Sequence, residues 1–194
     1  MSRPPRRPGR RHSGRGAGRR RESNGEHRTE IIDIVSLAAQ GDGEGRLADA
    51  NRAFVPLTLP GDRVRVEITG KRGDGFFGRA IEFIEQAPRA QPICEVFGRC
   101  GGCQLQYLPA AFYAEWKHQQ VPMHLARHGI EAAPEPLIQV PVASRRRVSL
   151  AAIRTASGIE LGFHTAESDR IVGIGGCPLL VPALGALIGP LKEI

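Results

Sequence analysis

No hydrophobic run in this 194-residue chain approaches the ~18 residues that a membrane-spanning helix requires. The N-terminus also lacks the apolar stretch of a secretory signal. Residues 1–28 contain no Leu, Ile, Val or Phe and are interrupted by Pro4, Pro5, Pro8 and several glycines, so they cannot form the amphipathic helix of a mitochondrial presequence either. A cytoplasmic protein without membrane contacts is expected, in which disulfides do not form. Lysine is missing from the same segment, yet ten arginines stand there against Glu22 and Glu26, a local charge of +8. The whole chain carries +7, so the other 166 residues sum to −1. All the excess positive charge therefore sits on a Gly/Pro/Arg tail that cannot build a core. Such a tail attracts phosphate backbones without reading sequence, so RNA is its expected partner, the alternative being a solubilising tail that adds little to function. No internal repeat is apparent.

From Thr29 the composition changes abruptly. Ile31–Val35, Phe54–Leu59, Arg63–Thr69, Phe76-Phe77 and Ala80–Ile84 read as short strands, with Gly41–Gly45 and Pro60-Gly61 as turns between them. Arg63–Thr69 alternates strictly between polar and apolar, as a strand with one buried face does. Five such runs predict a small β-barrel of the OB kind, whose outer faces commonly bind nucleic acid. Arg46, Arg52, Lys71, Arg72 and Phe76 are the candidate contacts there, each of which can equally be an ordinary surface or core residue. Pro88 to Pro92 reads as a linker. Leu108 to His128 reads as a helix stopped at Gly129, which Pro122 would kink or divide. Val148–Ile153, Gly158–Phe163 and Arg170–Ile174 read as antiparallel strands, and Leu179–Ile188 as a helix. Arg145, Arg146 and Arg147 are the best RNA candidates outside the barrel, or else a solvated strand edge. His124, His128 and His164 lack metal-like spacing, and Tyr113 and Trp116 read as packing residues.

Cysteine is scarce: Cys94, Cys100, Cys103 and Cys177 are all there is. A structural zinc site usually shows two C-x2-C pairs, and only Cys100 and Cys103 form one. A thioredoxin-like pair would sit in a βαβ unit, and nothing parallel-β precedes Cys100. Three close thiols and one distant match the uneven ligand spacing of an iron–sulfur cluster best, with zinc and unliganded thiols still open. The five residues between Cys94 and Cys100 do not match the C-x3-C-x2-C arrangement of radical enzymes.

Cys94-x5-Cys100-Gly101-Gly102-Cys103-Gln104-Leu105-Gln106, followed by Lys117 and Gln119 in a helix, resembles the bacterial RNA uracil-5-methyltransferases that carry an iron–sulfur cluster. Gly41–Gly45, Phe54-Val-Pro56 and Leu59-Pro-Gly61 are similar to the TRAM barrel that begins the 23S rRNA enzymes of that family. Arg145-Arg-Arg147 and Leu161-Gly-Phe163 are similar to their central domain, and Cys177-Pro178 stands where the fourth ligand does. The resemblance runs from about Thr29 to Leu191 and leaves out the tail. Composition makes residues 1–28 a disordered tail. The resemblance implies a mainly β chain with some α, in which 29–88 form an OB-like TRAM domain and 89–194 an α+β iron–sulfur central domain incomplete at its C-terminus. It implies a [4Fe-4S] cluster on Cys94, Cys100, Cys103 and Cys177, an RNA substrate, expected to be 23S rRNA, and a monomer.

The same family continues into a Rossmann-like domain that binds S-adenosylmethionine and supplies the catalytic cysteine and base. That domain is expected to be absent here, because the four cysteines are all taken as ligands and no nucleophile remains. Gly173–Gly176 runs into Cys177 rather than opening a helix, so it is not a nucleotide loop. The expectation is an RNA-binding, cluster-carrying part of a methyltransferase that is inactive alone. The alternative is a stand-alone RNA-binding protein with a structural metal.

Overall fold

The computed structural model describes residues 28–156, 158–166 and 168–193. The Arg-rich tail lies outside the described residues, apart from Arg28. The chain is mainly β, as expected. Five strands form a closed barrel: β1 (Thr29–Leu37), β2 (Gly43–Arg46), β3 (Arg52–Val55), β4 (Arg63–Arg72) and β5 (Gly75–Glu85). Their order is β1-β2-β3-β5-β4, with β4 pairing back onto β1. β3 and β5 run parallel and every other pair is antiparallel, the Greek-key arrangement of an OB-like barrel.

The alternation read from the sequence places one side of each strand inside. Ile32 and Ile34 from β1, Ala53 and Val55 from β3, and Val64 and Val66 from β4 meet Leu47 in the core. Ile31, Asp33 and Val35 point out. The glycines at 41–45 are not one turn. The chain turns at Ala38–Asp42, where Gly41 has φ of 91°, and Gly43 and Gly45 already belong to β2. A Cβ on Gly43 would lie 2.0 Å from Thr58 Oγ1, so close packing, not turn geometry, excludes a side chain there. β3 stops at Val55 because Pro56 and Leu57 turn the chain, Leu57 with φ of 63°.

Helix α1 (Ala110–Ala126) runs through Pro122 undivided. A proline removes one backbone donor, and the remaining bonds of a 17-residue helix carry it past that point. Tyr113 and Trp116 pack as expected, against Leu37, Leu59, Tyr107 and Leu108 beside the barrel. Strands β6 (Ala151–Thr155), β7 (Gly158–His164) and β8 (Ile171–Gly173) form a separate antiparallel sheet. The helix expected over Leu179–Ile188 is instead two short turns, α2 (Pro182–Gly185) and α3 (Ile188–Leu191). Their residues Leu184 and Ile188 pack with Leu161, Ile174 and Leu180 into the second core.

The segment from Pro88 to Pro92 is not a free linker. Arg89 reaches the fully buried Asp62 carboxylate at 2.6 Å, and the Ala87 N–H donates to the same group at 2.9 Å. Nearby, the Tyr107 hydroxyl donates to the Thr58 carbonyl at 2.9 Å. Burial pushes the Tyr107 phenol well above its ordinary value, with Asp62 and Asp42 adding to the effect and Arg89 opposing it. The folded state therefore keeps the neutral phenol. This contribution to stability is intact below about pH 10, the ordinary tyrosine value, and falls as pH rises beyond it, because unfolding then releases a proton. A Tyr107→Phe variant is expected to lose about 1–3 kcal/mol at pH 7, since the Thr58 carbonyl is left without its donor. It is also expected to show a flatter decline toward pH 11, both effects read by urea denaturation.

Candidate metal centre and nucleic-acid interface

The four cysteines come from two distant stretches that local structure brings together. Cys94 opens a tight run in which Phe97 N–H bonds the Cys94 carbonyl and Cys100 N–H bonds the Val96 carbonyl. Gly98 takes φ of 81° and turns the chain toward Cys100. Cys100 then bridges Thr165, and Gly101 N–H bonds the His164 carbonyl at 2.9 Å, which fixes the CGGC turn to the end of β7. A Cβ on Gly101 would sit 2.9 Å from that carbonyl and from the Ala166 nitrogen, so only glycine allows this approach. Gly102 N–H donates to Cys100 Sγ at 3.4 Å.

Cys177 arrives from the loop after β8. That loop is held by a second short ladder: Ala143 N–H to the Pro178 carbonyl, Arg145 N–H to the Leu179 carbonyl, and Val181 N–H to the Arg145 carbonyl, at 2.9–3.1 Å. Ala143 has φ of 58°, a strained conformation for alanine of the kind that clusters near functional sites.

All four thiols line one pocket and all four are free and half-buried. Burial pushes the Cys103 thiol up. The Gln106 amide pulls it down, and Cys177, Cys100 and Cys94 push it further up. The three neighbouring sulfurs thus disfavour the Cys103 thiolate unless a cation or metal group joins them. Among the described residues no three His, Cys, Asp or Glu side chains are arranged to hold a metal ion. The pocket walls are otherwise apolar, from Val96, Phe97, Phe163, Ile174, Pro178 and Leu179, apart from Gln106 and Arg145.

A longer groove shares a wall with this pocket. Cys100, Gly102, Cys103 and Phe163 line both. The groove runs from the CGGC turn and His164 to the outer face of the barrel, where Phe77, Arg79 and Phe83 line it. Arg79 is paired with Glu67 at 2.7 Å, and His164 Nδ1 lies 3.1 Å from the Asp169 carbonyl.

The barrel residues singled out from the sequence lie elsewhere. Arg52 is held between Glu44 and Asp74, and their hydrogen bonds raise its already high pKa. Arg46 bonds the Ala50 carbonyl at 2.9 Å. Phe76 packs against the barrel core with Arg28 over its ring. Lys71 is exposed at the end of β4, beside Arg72, whose side chain lies outside the described atoms. Arg146 and Arg147 are exposed, whereas Arg145 lines the thiol pocket. Sequence reasoning missed Phe77, Phe83 and Phe163 as one surface. The period-2 alternation separates Phe76 from Phe77, but nothing local joins β5 to β7.

No family model matches the chain. Similarity to individual proteins is extensive. The chain is 40% identical over 166 residues to an uncharacterized RNA methyltransferase of Caulobacter vibrioides, covering 84% of this chain and 39% of the relative. It is 35% identical over 177 residues to a 23S rRNA (uracil(1939)-C(5))-methyltransferase of Halomonas elongata, covering 89% and 36%. A solved structure, the Pyrococcus abyssi tRNA (uracil-54, C5)-methyltransferase in complex with S-adenosyl-L-homocysteine, matches with 28% identity and a TM-score of 0.53. That match covers 84% of this chain and 36% of the other. The homologues of this chain are thus RNA methyltransferases. By their names, the Halomonas elongata and Pyrococcus abyssi proteins modify C5 of uracil, in 23S rRNA and in tRNA respectively. The chain spans less than two fifths of the length of each of these relatives.

Proposed function

We propose that these residues are the RNA-binding and cluster-carrying part of a methyltransferase that forms 5-methyluridine, with 23S rRNA as substrate and S-adenosylmethionine as methyl donor of the intact enzyme. The observation that carries this reading is the convergence of all four cysteines on one pocket that shares its wall with a groove lined by phenyl rings.

Cys94, Cys100, Cys103 and Cys177 would hold a [4Fe-4S] cluster. Three close thiols and one distant suit the uneven ligand spacing of such a cluster, and all four face a common space. Bound there, it would supply cross-linking and charge. The ligand role also leaves no thiol among the 194 residues to attack uracil, so this chain alone is expected to bind RNA without methylating it.

The groove favours stacking over phosphate neutralisation, because its arginine is already paired with Glu67. Phe77→Ala and Phe163→Ala are each expected to weaken binding of single-stranded rRNA fragments about tenfold, within the usual range for loss of one base–aromatic stack. The salt dependence of binding should be unchanged. Arg146→Gln with Arg147→Gln should instead flatten the salt slope. Fluorescence anisotropy across a salt series reads both. Equal affinity for the aromatic variants and the parent protein would overturn the groove assignment.

A further inference from the structure

The thiol pocket contains two polar side chains that its apolar walls do not explain. Gln106 stands three residues after Cys103, and both its Nε2 and Oε1 are buried without a hydrogen-bond partner. It lines the same pocket as Cys103. A buried primary amide with nothing to bond carries a desolvation penalty that a folded chain rarely tolerates without a ligand or water to meet it. Arg145 is the other. It is the pocket's one charged lining residue among those described, and no ion pair to it is found among the described residues. Its backbone is pinned on both sides by the bonds to Leu179 and Val181, beside a strained Ala143. A flexible surface arginine needs no such tether.

We propose that Gln106 and Arg145 are positioning residues for the group held by the four thiolates. The buried Gln106 amide donates its N–H to a sulfur of that group, and the Arg145 guanidinium offsets its negative charge. Arg145 is thereby moved from RNA contact to the cluster site. The proposal rests on the cluster reading above and deepens it. Four thiolates around an iron–sulfide core leave it anionic, and one-electron reduction adds a further negative charge. Amide donors to sulfur and a nearby cation both favour the reduced form, so both raise the reduction potential.

The test is a dithionite titration of anaerobically purified, cluster-loaded protein, followed by electron paramagnetic resonance. At the potential where the parent protein is half reduced, Gln106→Leu and Arg145→Gln are each expected to show at least a tenfold lower ratio of reduced to oxidised cluster. For one electron that is a midpoint about 59 mV lower. Arg145→Lys should retain most of the parent's reduced fraction, and Arg154→Gln, on the exposed β6 strand, should match the parent. Parent-like midpoints in both Gln106→Leu and Arg145→Gln, with iron and sulfide intact, overturn the proposal. Should Gln106→Leu fail to assemble a cluster, Arg145→Gln decides alone, since its side chain is exposed and not needed for packing. Parent protein without iron and sulfide would sink the cluster reading instead, so the two failures are distinguishable.

Discussion

A Cys177→Ser variant purified without oxygen is expected to lose most of its visible absorbance and most of its iron and acid-labile sulfide, while the parent protein is brown. In the proposed site Cys177 is the ligand delivered from a separate loop, and the three remaining thiols all lie between Cys94 and Cys103. A serine hydroxyl stays protonated at neutral pH and binds iron poorly, so three thiolates remain to hold a core that needs four. The loop itself should keep its place. Its backbone is bonded to Ala143 and Arg145, and Leu180 and Leu184 anchor it in the second core. Retained circular dichroism with lost iron is therefore the expected pairing. Colourless parent protein containing one equivalent of zinc would overturn the assignment.

Asp62→Ala is expected to destabilise the protein by about 3–5 kcal/mol, the usual result of removing one partner from a buried ion pair. The Asp62 side chain is 0% exposed and Arg89 only 22%. The carboxylate accepts four bonds at 2.6–2.9 Å: from Leu59 N–H, from Ala87 N–H and two from Arg89. Truncation leaves those donors buried and the guanidinium uncompensated. In a chain of this size the midpoint of thermal unfolding should fall on the order of 10 °C. Arg89→Ala adds the loss of its stacking over Phe83 and Tyr107, at 5.0 and 5.4 Å. The double variant should lose less than the sum of the two single losses, as measured by chemical denaturation, because each single change already breaks the pair. Strict additivity would show that the ion pair carries no coupling.

Much of this architecture is legible in local sequence, and the exceptions share a cause. Alternation in Arg63–Thr69 identifies β4 and its buried face because a strand's period is set by its own backbone. The cysteine spacing and its glycines identify the thiol site because the turn needs them wherever it is built. Asp62 and Arg89 are 27 residues apart, and a proline-flanked arginine carries no local sign of a buried partner. Gly43 reads as a turn residue, and only the position of Thr58 across the barrel reveals a packing requirement. The pairing of Arg52, a candidate nucleic-acid contact, with Glu44 and Asp74 is not legible locally, because they come beside it only when β2, β3 and β5 pair. Gln106 was visible as part of a motif, but its orphaned amide exists only once the pocket closes over it.

Cys177 follows Cys103 by 74 positions, and the chain between them contains α1 and the whole β6–β7–β8 sheet. A group bonded to both ends turns that stretch into a closed ring. For a cross-link over a loop of this length, the lost freedom of the unfolded chain corresponds to about 4 kcal/mol in the chain-entropy picture. Exposure to oxygen would then act on folding as well as on colour: once the bridge is oxidised away, the ring opens and somewhat less than half of the described chain loses its fastening.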